Sequence, residues 1–194
     1  MREKLVWSSY PGNAEFEAHL EDIVYSGETV LDVGCGTQKI TNESSLPGIT
    51  VIGVDAYADV SGEDIKALMW DMPFEDNSVD GLVCMAALEH ISKFQVLPTL
   101  EEFNRVLKPE AKFAILVPNI IWIMTEFIRK PNVNWEMDLL FGIQTHEGEF
   151  HRTGFTEDII RIYFQAAIPN CEILKIYEVV AYSQLNFGVV AVKH

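Results

Sequence analysis

The chain is poor in positive charge. Against 29 acidic residues it carries only 14 lysines and arginines, for a formal net charge of −15. Nucleic-acid binders present a basic face. No Lys/Arg cluster is found here, which argues against a DNA or RNA substrate. The acidic balance favours solubility and names no partner. Cysteine is scarce too. Cys35, Cys84 and Cys171 cannot all pair, and none has a neighbour at metal-site spacing. Reduced thiols in a reducing cytoplasm are the expectation. Long apolar runs are missing: the greasiest stretch, 113–124, is broken by Pro118 and Asn119 and falls short of the roughly 20 residues a membrane span needs. The segment 1–12 has charges and a Pro-Gly without an apolar core, so no signal peptide is expected. There is no internal repeat, low-complexity tract or linker. What remains is 48% hydrophobic and 22% charged over 194 residues. That suits one folded domain, 1–194, with a sizeable core.

Apolar runs and turn signals lay out alternating elements. A helix is predicted over 14–25, with Phe16, Leu20, Ile23 and Val24 on one stripe, Asn13 as its cap and Gly27 as its stop. Strands are predicted at 29–33, 50–54, more weakly 65–69, then 81–85 and 112–117. A helix over 94–107, or from Pro98, leads through Pro109-Glu110 into the last of these. Thr156 caps a helix running to about Ala167, with Glu157 and Asp158 in its first turn. Segments 172–180 and 186–192 form a closing hairpin. Alternating strands and helices imply right-handed crossovers and a mainly parallel α/β sheet. Ligands of such sheets sit beyond the carboxyl ends of the strands. Asp32, Asp55, Asp71, the 86–90 segment and Asn119 all fall on that edge.

The first strand ends in Leu31-Asp32-Val33-Gly34-Cys35-Gly36-Thr37. Two glycines let the backbone turn sharply and approach a ligand closely. A dinucleotide fingerprint needs a third glycine, but Lys39 stands at that position. Asp32 would also repel a pyrophosphate. The second strand ends in Asp55, an acid suited to ribose hydroxyls. Next come Trp70-Asp71-Met72-Pro73-Phe74 with Asp76, Ser78 and Asp80, then Leu88-Glu89-His90, then Arg105-Val106-Leu107-Lys108-Pro109. In this order the motifs resemble those of the class I S-adenosylmethionine-dependent methyltransferases, in particular the broad small-molecule group. The resemblance spans about 28–119. It departs at Gln38, where glycine is frequent, and at 39–47, where the first crossover helix reads as stunted.

The resemblance implies a Rossmann-like, doubly wound, mainly parallel seven-stranded sheet with its last strand antiparallel. It implies S-adenosylmethionine as cofactor and S-adenosylhomocysteine as product, with no metal expected. The cofactor residues it implies are Asp32, Gly34, Cys35, Gly36, Asp55, Ala56, Trp70, Asp71 and Met72. Asp55 would grip the ribose and Asp32 would orient the methionine end. The Asp71 carboxylate would take the adenine amine, and the Met72 backbone a ring nitrogen.

After the fifth strand, 120–155 is rich in aromatics and is expected to form a lid over the cofactor edge. Its densest polar stretch is 144–152. There His146, Glu149 and His151 are candidates for proton handling, histidine titrating near neutrality. Arg152, Asn119 and Trp122 are candidates for holding the acceptor. A plain solvated loop is the alternative. A metal on His146, Glu149 and His151 matches no standard spacing. Glu89 and His90 either orient substrate or relay a proton, or they merely cap and pack. The expected activity is methyl transfer to a small molecule or sugar, with O-methylation favoured over N. The alternatives are a protein or nucleic-acid methyltransferase and a catalytically silent partner protein. No membrane association is expected, and a homo-oligomer is left open.

Overall fold

The computed structural model describes residues 29–37, 49–59, 62, 64–130, 135–181 and 184–194. The helix expected over 14–25, with Asn13 and Gly27, and the 38–47 crossover lie outside them. Seven strands are described: β1 (Thr29–Val33), β2 (Thr50–Asp55), β3 (Ile65–Lys66), β4 (Val79–Met85), β5 (Leu107–Pro118), β6 (Cys171–Ala181) and β7 (Gln184–Lys193). Four helices accompany them: α1 (Lys93–Val106), α2 (Ile120–Arg129), α3 (Trp135–Phe141) and α4 (Glu157–Ala167). The strand order is β3-β2-β1-β4-β5-β7-β6. Neighbours pair in parallel from β3 to β5, whereas β7 runs antiparallel to both β5 and β6. The last strand alone opposes the rest, as expected.

The central strands are apolar almost throughout because both faces of a parallel sheet are covered. In β1, Val30, Leu31 and Val33 are fully buried. One face packs against Val96, Leu100 and Phe103 of α1 and Ile160 and Phe164 of α4. Strand order reverses between β1 and β4, so the crevice of a doubly wound sheet opens at their carboxyl ends. Among the described residues no helix is long and apolar enough to cross a membrane.

Several boundaries moved for local reasons. α1 starts at Lys93, not Pro98. Gln95 reaches back to accept from the Ser92 amide at 3.0 Å, and the buried stripe of Val96, Leu100 and Phe103 holds the helix through Pro98. One missing hydrogen bond on the exposed side is outweighed by that packing. β5 begins at Leu107 rather than 112. Pairing resumes after Pro109-Glu110, which bulges out of the ladder with Glu110 at φ 63°. β3 shrinks to two residues at the sheet edge. The cap on α4 is as expected, with Thr156 Oγ1 accepting from the Ile159 amide at 3.2 Å.

The Arg-Val-Leu-Lys-Pro segment acts structurally. Arg105 donates to Glu102 from Nε and Nη2, to the Phe74 carbonyl and Asp76 from Nη1, and to the Met72 carbonyl from Nη2, at 2.7–3.1 Å. Glu102 in turn accepts the Met72 amide at 2.7 Å. The planar fork thus pins the 72–76 loop to α1. Hydrogen bonding to Arg105 holds the Glu102 carboxyl below its usual pKa. Its stabilisation is therefore present above the unfolded-state value and lost as pH falls through the lower folded one. Glu102→Gln is expected to cost about 1–2 kcal/mol at pH 7, allowing for screening of the partly exposed guanidinium. That corresponds to roughly 2–8 °C in Tm. The gap from the parent should close below about pH 4, which thermal melts across pH will check.

Candidate active site

The carboxyl ends of β1, β2 and β4 surround a cavity of about 370 Å³, within the range of small-molecule sites. Gly34, at φ 79°, makes the turn out of β1. A Cβ there would lie 2.2 Å from Ala87 Cβ, so only glycine lets the two strand ends approach. The Gly34 amide donates to the Val54 carbonyl at 2.7 Å. Asp55 then ties the loop down. Its Oδ2 accepts from Gly36 N–H at 2.9 Å, and its Oδ1 accepts from Tyr57 and Ala58 N–H at 2.8 Å each. Opposite stand Leu68, Met69 and Trp70, and a third side is formed by Ala86, Ala87 and His90. Ala86 holds φ 47°, an uncommon conformation for a residue with a side chain. Asp55 and Glu149 lie on the wall, and among its described lining residues there is neither Lys nor Arg. Such a wall favours a cationic ligand over a pyrophosphate.

Of the expected cofactor residues, Gly34, Gly36, Asp55, Ala56 and Trp70 line this cavity. Four do not. Asp32 pairs in register with Gly53 and Val83 inside the sheet and is 1% exposed, one residue short of the strand end. Cys35 is turned toward Gly53. Burial, then Asp32, Asp55 and Asp64, push its thiol up to about 12, so it stays protonated. Met72 is buried in the core, and its amide is committed to Glu102, so it has no N–H for an adenine nitrogen. Asp71 is exposed beyond Trp70, displaced from the wall by the turn that the Met72–Arg105 contacts fix. Sequence reading put the 86–90 segment on this edge but did not single out Tyr57, Leu68 or Met69. Their signal was position, directly after a strand end or before Trp70.

A second cavity of about 160 Å³ lies beside the first, walled by Ile120, Ile123, Leu139 and Leu140 together with Glu89, His151 and Arg152. The 120–155 segment supplies most of it. Its ends are clasped by an Asn119–Phe155 bridge, with the Ile120 amide donating to the Phe155 carbonyl at 3.1 Å. The Arg152 and Thr153 amides donate to the Glu89 carbonyl at 2.8 and 3.1 Å, seating the segment on the turn after β4.

The polar stretch divides between the two cavities. His146 and Glu149 face the larger one. His146 Nδ1 accepts from the Gly148 amide at 3.2 Å, and Nε2 sits 3.4 Å from Glu149 Oε1. Neutral His146 thus has no free lone pair, which counts against the base role expected of it. Thr145, bonding Glu149 through hydroxyl and amide, holds that carboxyl below its usual pKa. His151 Nδ1 lies 2.9 Å from the Leu139 carbonyl. A carbonyl only accepts, so the proton sits on Nδ1 and Nε2 keeps its lone pair. Burial lowers the His151 pKa against the favourable pull of that carbonyl. The His151 ring meets His90 edge to face at 4.9 Å between centroids, at the boundary between the cavities. Burial, then His151, lowers His90 to about 4. Glu89, 3% exposed, is raised to about 8 by burial.

Asn119 and Trp122 line neither cavity. Asn119 is buried and caps α2, accepting from the Trp122 amide at 3.1 Å. Trp122 lies on neither cavity wall, because α2 presents Ile120 and Ile123 instead. Arg152 borders the second cavity but donates to the Glu147 carboxylate.

Sheet order and a cavity at the switch point define a Rossmann-like α/β protein with a nucleotide-sized site. A family model described as a methyltransferase domain matches residues 31–115. An uncharacterized methyltransferase of Synechocystis sp. is 30% identical over 107 residues, 50% of this chain and 50% of that protein. The chain spans about half the length of the curated relatives it matches. A SAM-dependent methyltransferase from Methanosarcina mazei superposes with a TM-score of 0.69 at 20% identity, covering 96% of this chain and 98% of that one. The 1,6-didemethyltoxoflavin-N1-methyltransferase of Burkholderia thailandensis, solved with 1,6-didemethyltoxoflavin and S-adenosylhomocysteine, gives 0.62 at 19% identity, covering 94% and 76%. Residues 31–115 thus match a methyltransferase domain, and the fold is that of solved SAM-dependent methyltransferases.

The two loop glycines are expected to fail differently. Gly34→Ala meets backbone strain and a rigid neighbour, costing about 2 kcal/mol or more. Gly36, at φ 60°, has nothing within 4 Å of an added Cβ. Gly36→Ala should cost about 1 kcal/mol but place a methyl on the cavity wall. Paired melting and S-adenosylhomocysteine titrations check this: stability falls chiefly in the first variant, and ligand affinity per folded protein falls in the second.

Proposed function

We propose that the protein binds S-adenosylmethionine in the larger cavity and passes its methyl group to a small hydroxylated acceptor held in the smaller one. The observation that carries this reading is that His90 on the wall of the larger cavity meets His151 on the wall of the smaller one. The methyl donor is already activated as a sulfonium. The protein's task is to align an acceptor and exclude water, which positioning can supply. The acidic wall of the larger cavity suits that cation. The second cavity is mostly apolar, with Glu89, His151 and Arg152 at its polar side. It suits a compact aromatic or alicyclic alcohol better than a free sugar. The Burkholderia neighbour, an N1-methyltransferase, is likewise solved with 1,6-didemethyltoxoflavin beside S-adenosylhomocysteine. The 120–155 segment acts as the lid that selects the acceptor.

The adenosine would lie between Ala56–Tyr57 and Leu68–Trp70, with apolar side chains on the base and Asp55 at the ribose. Three of roughly four acceptor positions of Asp55 are taken by amides. One ribose hydroxyl binds directly, and a second exchanges with a turn amide. Asp55→Ala is expected to weaken S-adenosylhomocysteine by about 3 kcal/mol, roughly a hundredfold, measured by calorimetry. NADH should bind far more weakly than S-adenosylhomocysteine. An unchanged constant in Asp55→Ala would place the cofactor elsewhere.

Of the lid histidines, His151 is the one with a free lone pair at the boundary, and turnover should depend on it. A screen of phenols, hydroxy acids and sugars with labelled S-adenosylmethionine identifies the acceptor. His151→Ala should then cut turnover by about a hundredfold or more while leaving cofactor affinity unchanged. His146→Ala should matter far less. Cofactor binding without turnover on any acceptor would favour a catalytically silent protein.

A further inference from the structure

Among the described residues, one carboxylate oxygen of Glu89 and one ring nitrogen each of His90 and His151 lie within 4.8 Å of one another. Glu89 is 3% exposed, and its Oε2 has no hydrogen-bond partner. His90 Nδ1 is also buried and without a partner. Buried polar atoms are normally satisfied, and each exception has a cause. Here two exceptions adjoin a third group whose lone pair is free. His151 is oriented as metal-bound imidazoles are, its other nitrogen held by the Leu139 carbonyl. The gap between any two of their ligand atoms is no wider than 4.8 Å.

We propose that Glu89, His90 and His151 form a binding site for a divalent transition-metal ion, which ties the 120–155 segment to the turn after β4. Two imidazoles and one carboxylate suit zinc, cobalt or nickel rather than magnesium or calcium. At zinc–nitrogen distances of about 2.0–2.1 Å, tetrahedral ligand atoms sit about 3.4 Å apart. The group closes to that spacing by small side-chain rotations. The seam it would reinforce already exists, because the Arg152 and Thr153 amides bond the Glu89 carbonyl. His90 borders the larger cavity, and Glu89 and His151 border the smaller one. Sequence spacing hid the group: two members are adjacent, and the third follows 61 positions later in the lid. The inference does not require the methyl-transfer reading, and a metal on His151 Nε2 would occupy the lone pair that reading uses, so only the metal-free form could use His151 as a base.

The test is a titration of metal-free full-length protein with Co²⁺, followed by its visible absorption, with Zn²⁺ as competitor. S-adenosylhomocysteine binding is scored in a separate calorimetric run, so a failure of either idea is seen alone. The expected result is saturation at one equivalent, lost in His151→Ala and in Glu89→Gln and retained in His194→Ala. His194 lies near Glu110 and Glu172 and is the competing surface site. Circular dichroism verifies folding, and His90→Gln replaces Glu89→Gln if the latter does not fold. Zn²⁺ at a hundredfold excess over its Kd should raise Tm by roughly 5–10 °C. No saturable binding, binding that survives His151→Ala, or binding lost with His194→Ala would overturn the proposal and leave the gap to a buried water.

Discussion

The Asp55 carboxylate is the constraint on which the site depends. One side chain accepts amides from two different loops, Gly36 from the loop after β1 and Tyr57 and Ala58 from the turn after β2. Without it, those donors would face a cavity with nothing to satisfy them. With it, two strand ends share one anchor and the crevice keeps its shape. The acid the resemblance assigns to the ribose therefore also builds the wall. That double use explains why a strand-end aspartate in this position is not interchangeable with a neutral turn residue.

Charge then decides what the crevice accepts. Its wall carries carboxylates, and Asp32 lies buried just behind it. The acids that add to the effect of burial in keeping Cys35 protonated also disfavour phosphates and favour a sulfonium or ammonium. Arg105 contributes from outside the cavity. By gripping 72–76 it sets the turn that presents Leu68, Met69 and Trp70. The crevice thus combines an acidic floor with an apolar side.

Much of this was legible in the sequence, and the failures have physical causes. Near-continuous apolar runs gave β1, β2 and β4 because parallel strands are buried on both faces. The Gly34/Gly36 loop and Asp55 were legible because their chemistry is local. Met72 and Asp71 do not line the cavity, because adjacency along the chain does not say which residue a turn presents. The fork of Arg105, more than 30 positions away, decides that. Asn119 reads equally well as a ligand residue or a helix cap, and only the presence of α2 behind it chooses. The meeting of His90 with His151 was invisible for the same reason. One lies on the turn after β4 and the other in the lid, and sequence reading treated them as rivals.

The most direct test of this account is a crystal structure with S-adenosylhomocysteine bound. The ligand's adenosine should lie between Ala56–Tyr57 and Leu68–Trp70, with its ribose against Asp55. Its sulfur should face the Ala86–His90 side, toward the second cavity. Density for the ligand in the cavity walled by Ile120 and Leu139, or a ribose out of reach of Asp55, would contradict it.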